Sequence, residues 1–174
     1  MKTKYLLILI ILFSGFLIAQ ERNKIIKDSF SEPMLIGYCT REVFSDSVFA
    51  SWFKPEYESY KPDSSNIEEL KKDIGDIDIT IVMGSWCSDS QWYVPDFYKV
   101  LDEANYPSGR VKLIAVDEDK KTEGDEIDSL SIKLVPSFIF YRNGLEIGRV
   151  VESPEKSLET DMLGILTKKK EMSH

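Results

Sequence analysis

The sequence predicts an α/β fold: a mixed four-stranded sheet with helices on both faces, preceded by an N-terminal helical extension. Three observations carry this. Residues 77–83 are a nearly continuous apolar run, as expected for a strand covered on both faces, and a helical pattern over 89–104 follows it. A second apolar run at 111–116 completes a strand–helix–strand unit, whose crossover places two parallel strands in one sheet. Asn143-Gly144 then separates two further strand patterns, 137–141 and 145–151, and Asn-Gly suits the positive φ angles of a tight hairpin.

The remaining elements follow from local signals. Residues 20–35 are mixed and charged and predict a poorly ordered lead-in. Thr40 can cap a helix over 41–53, on which Val43, Phe44, Val48, Phe49, Trp52 and Phe53 recur at helical spacing, and Pro55 is expected to end it. Residues 56–62, with Tyr57 and Tyr60 between prolines, predict irregular chain; the aromatics of this region read as a cover over the sheet, with a client surface as the alternative. Ser64 or Ser65 can cap a second helix over 66–74, closed by Gly75. Pro95 should kink the helix over 89–104, in which Trp92, Tyr93, Phe97 and Tyr98 are expected as core and rim. Residues 117–124 predict a charged loop and 127–132 a short helix. Ser153 is expected to cap a last helix over 154–166, with Pro154 at its first position. The expected division is 1–19 targeting segment, 20–75 helical extension and 76–170 sheet domain.

Composition limits the chemistry. With 174 residues, 43% hydrophobic, the chain suits one compact domain with a real core. Its one histidine is His174, at the C-terminal end, so histidine-based triads and metal sites are not expected. Two cysteines exclude a multi-cysteine zinc site and a disulfide-dense scaffold. Acidic residues 117–119 and 125–126 lack the glycine and terminal glutamate spacing of a calcium loop and read as solvated chain. No metal and no cofactor is expected.

The N-terminus reads as an export signal. Lys2 and Lys4 precede an apolar stretch of about 14 residues, and Ala19-Gln20 offers a cleavage point. That stretch is short beside the roughly 20 residues of a membrane span, although an uncleaved anchor is the alternative. Cleavage would move the formal charge from −8 to −10, because two lysines leave. An acidic mature chain argues against nucleic acid and anionic membranes as partners. Periplasmic or extracellular delivery places thiols where disulfides persist.

The chemistry-bearing segment is Ser85-Trp86-Cys87-Ser88-Asp89-Ser90. A cysteine between a strand and the first turn of a helix faces free backbone N–H groups and the positive end of the helix dipole, both of which favour the nucleophilic thiolate. Asp89 opposes this as a nearby carboxylate, or caps the helix by accepting backbone N–H groups. Three residues after Cys87, where a second cysteine would complete a Cys-x-x-Cys pair, stands Ser90, which cannot resolve a mixed disulfide but can donate a hydrogen bond to the Cys87 sulfur.

At this point the chain resembles the thioredoxin superfamily over roughly residues 74–168. Trp86-Cys87-Ser88-Asp89-Ser90 stands at the family's active-site motif, and Pro95, eight residues after Cys87, at its helix-kinking proline. Val135-Pro136-Ser137 is similar to the family's Ile/Val-Pro-Thr, and Asn143-Gly144 with Gly148 to its terminal hairpin. The resemblance implies a thioredoxin-like fold, a cis peptide before Pro136 facing Cys87, and client contacts through Trp86, Val135 and Pro136. Trp-Cys-x-Asp-Ser after an N-terminal helical segment also resembles exported bacterial thioredoxin family proteins. Two departures stand out: Ser90 replaces the second cysteine, and Ile81 replaces a buried acid six positions before the first.

A single thiol can isomerise disulfides, exchange with a small thiol such as glutathione, or hold a client in a mixed disulfide. The leading expectation is therefore a thiol–disulfide oxidoreductase or isomerase of the cell envelope acting through Cys87. A non-catalytic peptide- or protein-binding module is the first alternative. A Cys39/Cys87 redox switch is the second, with Cys39 otherwise a buried, inert apolar side chain.

Overall fold

The computed structural model describes residues 22–171 apart from Glu126; the expected export signal lies outside the described residues. Six strands form one sheet: β1 (Lys24–Lys27), β2 (Pro33–Cys39), β3 (Ile77–Met83), β4 (Val111–Ala115), β5 (Ser137–Arg142) and β6 (Leu145–Val151), in the order β1-β2-β4-β3-β5-β6. β3 and β4 are parallel and the other pairs antiparallel. Four α-helices accompany it: α1 (Ser47–Ser59), α2 (Ser64–Asp73), α3 (Ser88–Glu103) and α4 (Leu158–Glu171). No helix among the described residues is long and apolar enough to cross a membrane.

The sheet domain forms where its patterns place it. β3 has the expected bounds and buries six of its seven residues, and β6 also has its expected bounds. Asn143 and Gly144 take φ of 54° and 76°, the paired positive values of the tight hairpin.

The N-terminal extension departs from expectation. The lead-in at 20–35 contains β1 and the start of β2, so the sheet has six strands rather than four and the extension is not purely helical. Gly37, Tyr38 and Cys39 cover the edge that β4 would otherwise expose, and the buried Met34, Leu35 and Ile36 carry the strand on to pair with β1. Three apolar residues inside a polar stretch gave too short a pattern to register as a strand. Arg41–Ser45 is a 3-10 turn, after which Asp46, not Thr40, caps α1 by accepting the Val48 N–H at 3.0 Å. Pro55 lies inside α1 instead of ending it. The helix continues because its next turn is held on both sides: Phe53 and Tyr57 stack along the helix at 5.9 Å, and Tyr57 donates to Asp102 of α3 at 2.6 Å. Asp63 caps α2, accepting the Asn66 N–H at 2.9 Å. The expected last helix starts later, at Leu158, and Ser157, not Ser153, accepts an N–H of its first turn, that of Thr160, at 3.3 Å.

The aromatics of the extension are a cover. Phe44 stacks on Phe53 at 4.3 Å and meets Tyr98 edge-on at 6.0 Å, joining α1 to α3. Arg41 lies 4.7 Å over the Tyr98 ring and forks onto Asp102 with bonds of 2.7 and 2.6 Å. On the other side Tyr60 donates to the buried Glu159 at 2.8 Å and the Asp63 N–H to its second oxygen at 3.0 Å, tying the α1–α2 link to α4. The main core lies under these helices and a smaller one, around Val82, Ile114 and Ile139, on the other sheet face.

Candidate functional site

The end of β3 and the start of α3 fix the thiol. β3 runs out at Met83, the turn 84–86 reverses the chain, and Cys87 is the N-cap residue of α3, with φ −87° and ψ 125°. Its N–H donates to the Gly84 carbonyl at 3.0 Å, and its carbonyl accepts the Gln91 N–H at 3.0 Å. The side chain makes no capping bond and is half-buried. The sulfur points across to the segment before β5, where the thiol donates to the Val135 carbonyl at 3.4 Å. The Val135–Pro136 peptide is cis, both side chains are buried, and the Pro136 carbonyl accepts the Glu152 N–H at 2.7 Å. Only backbone and the adjoining Leu134, 43% exposed, remain for a client there.

Trp86 is anchored rather than free. Its indole N–H donates to the Val116 carbonyl at 2.9 Å, and Lys120 lies 5.4 Å over its ring. The ring folds over Gly84 so closely that a Cβ at that position would sit 2.6 Å from it. Glycine is required there by close approach.

Ser90 is completely buried, and its hydroxyl accepts the Gly84 N–H at 3.2 Å. The physical reason is that the Gly84 N–H is buried at the strand end, where an unpaired donor would be costly. Asp89 is the second residue of α3, half-buried, and is not the cap. Its charge lies in the first turn of α3, where the helix dipole favours it.

Sequence reasoning missed three supports of the turn. The Gln91 amide donates to the Ser85 carbonyl at 2.8 Å, and the Ser85 hydroxyl, itself buried, accepts the Leu35 N–H at 2.9 Å. The third is Gly84, just described. Gln91, one turn into a helix after a cysteine, carried a faint signal; the Leu35–Ser85 bond spans 50 positions and had none.

Cys39 and Cys87 are both free thiols. Cys39 pairs with Leu113, Leu113 with Ile81 and Ile81 with Phe138, a cross-sheet row that faces the main core. Cys87 packs against the smaller cluster on the other face. The Cys39 thiol donates to the Gly37 carbonyl at 3.6 Å, and burial pushes its pKa up to about 12. The structure thus does not bring the two thiols together. Ile81, where an acid was missing from the resemblance, is wholly buried in the same row.

No protein-family model and no curated protein sequence matches the chain. Among solved structures, a protein of unknown function from Pseudomonas aeruginosa is similar over 68% of this chain and 82% of its own, at 17% identity and a TM-score of 0.50. Thioredoxin O2 from Arabidopsis thaliana is similar over 60% of this chain and 90% of its own, at 18% identity and a TM-score of 0.40. A poplar thioredoxin h is similar over 59% and 86%, at 25% identity and a TM-score of 0.40. The fold is thioredoxin-like: a sheet ordered β4-β3-β5-β6 at its centre, flanked by helices, with the Cys87 turn facing a cis-proline segment.

Proposed function

We propose that this chain is a monothiol thiol–disulfide exchange protein of the cell envelope, acting through Cys87 on disulfide-bearing clients or on a small thiol such as glutathione. The observation that carries this reading is the setting of the Cys87 sulfur: half-buried at a helix start, 3.4 Å from the carbonyl before a cis-proline, with the chain's other thiol buried across the sheet. The Cys87 thiolate attacks one sulfur of the client disulfide. An Sγ–S bond forms, the client S–S bond breaks, and the departing client sulfur keeps the electron pair and takes a proton from water. Ser90, which carries no thiol, and Cys39, buried in the core on the other face of the sheet, cannot resolve the adduct. Release therefore falls to another thiol of the client, which gives isomerisation, or to a small thiol.

The test uses 4,4′-dithiodipyridine on the native full-length protein. The expected result is prompt release of one thiopyridone per chain, abolished in Cys87→Ser. No release until denaturant is added would overturn the proposal.

One observation favours a second reading, a non-catalytic peptide-binding module. The Sγ–Val135 contact is one that a protonated thiol makes as donor and a thiolate cannot. Peptide binding that survives Cys87→Ala, with a slowly reacting thiol, would establish that reading instead.

A further inference from the structure

Resting on the exchange reading, we infer that the client disulfide of Cys87 is carried on a cationic polypeptide segment with an apolar side chain beside it, and that the β1–β2 hairpin and Glu152 select it. The hairpin is placed to do this. β2 runs antiparallel to β4, so its first residues lie at the C-terminal end of β4, the edge at which Val116 receives the Trp86 indole. The Leu35–Ser85 bond at 2.9 Å joins the strand directly to the Cys87 turn.

The tip of the hairpin is a built structure. Asp28 accepts the N–H groups of Phe30 and Glu32, each at 2.8 Å, and Ser31 takes φ of 69°. The Ser29 hydroxyl donates to Glu118 at 2.7 Å, and Lys24 pairs with Glu123 at 2.6 Å, so the hairpin is tied to the loop whose Lys120 covers Trp86. This turn holds Phe30 outward, 83% exposed. Leu134, 43% exposed, directly precedes Val135, whose carbonyl accepts the Cys87 thiol. Glu152 closes the rim: its φ of 60° is unfavourable for a residue with a Cβ, and its N–H is held on the Pro136 carbonyl.

The net charge of this edge is acidic. The hairpin and residues 117–125 together carry seven carboxylates against four lysines, Lys24 being paired with Glu123, and Asp89 and Glu152 add two further carboxylates against Lys133. At physiological salt, screening acts over about 8 Å, so these groups act on a chain lying along the rim rather than on distant ions. A cationic segment is drawn in, and glutathione disulfide, which is anionic, is disfavoured. The surface therefore fits a polypeptide better than the small thiol.

The test compares two synthetic homodimeric disulfide peptides of matched sequence, one with Lys and Phe flanking the cysteine and one with Glu and Phe. Mixed-disulfide formation on full-length protein is followed by intact mass, and each rate is normalised to that of uncharged 4,4′-dithiodipyridine on the same protein. The expected result is a cationic peptide about tenfold faster than the anionic one at low salt. That ratio should collapse towards one as salt is added and fall in Glu32→Gln/Glu152→Gln. Phe30→Ser should slow both peptides relative to dithiodipyridine. Equal or reversed peptide rates with a reactive Cys87 would overturn the inference and leave the exchange reading standing. Failure to react with dithiodipyridine would overturn the exchange reading, and this inference with it.

Discussion

Ser90 lies under the Cys87 turn and accepts the Gly84 N–H at 3.2 Å, so the residue standing where a second thiol would be serves the backbone of the loop that presents the first. Ser90→Ala would leave that buried donor unpaired. The expected cost is about 1–3 kcal/mol, seen as a lower thermal midpoint. Dithiodipyridine reactivity of Cys87 should change little at temperatures where the variant is folded, if the hydroxyl serves only the Gly84 N–H. A large loss of reactivity without loss of stability would instead give Ser90 a direct part in the chemistry.

Gly84→Ala tests the other side of the same turn. The new Cβ would sit 2.6 Å from the Trp86 ring and force it off the Val116 carbonyl. Overpacking of this kind costs roughly 1–3 kcal/mol. A changed tryptophan emission spectrum, reporting the displaced indole, should accompany it; an unchanged spectrum and midpoint would contradict the close packing.

Cys39 should be silent in the native state. Burial raises its pKa to about 12, above its ordinary value of 9.0. The folded protein therefore favours the neutral thiol. This contribution to stability is complete below about pH 9 and is lost as the pH rises towards 12. Native-state alkylation at pH 8 should label Cys87 alone, with Cys39 labelled only in denaturant. Equal labelling of both in the native state would refute the burial argument.

Asp96 predicts a dependence at lower pH. One of its carboxylate oxygens is buried without a partner, and burial first, then the nearby charges of Glu56 and Glu159, raises its pKa from 3.8 to about 7. The fold thus prefers the protonated acid, and its contribution, complete below about 4, is lost as the pH rises through about 7. Asp96→Asn keeps the shape without the charge. Its thermal midpoint should gain on the parent as the pH rises from 5 to 8, and a constant difference across that range would count against this assignment.

Much of the sheet domain was legible because its signals are local. The apolar run of β3, the Asn-Gly hairpin and the cysteine at a strand-to-helix junction each fall within a few residues. The extension was less legible because its structure depends on distant partners. β2 is a strand because it pairs with the edge of β4, β1 because it pairs with β2, and α1 runs past Pro55 because Tyr57 and Tyr60 reach Asp102 and Glu159. The same holds at the site: the Cys87 position was readable, whereas the commitment of Ser90 to Gly84 was not.

By itself, then, the sequence determined the order of the core elements, the single thiol at a helix start and the missing second cysteine, since periodicity, turn chemistry and residue identity act over short spans. Tertiary structure alone decided that Cys39 and Cys87 face opposite sides of the sheet, that Ser90 accepts a buried backbone N–H, and that a charged hairpin is tied to the loop beside Trp86. Those outcomes depend on register and on the pairing of buried polar groups, which are set by contacts between residues far apart in the chain.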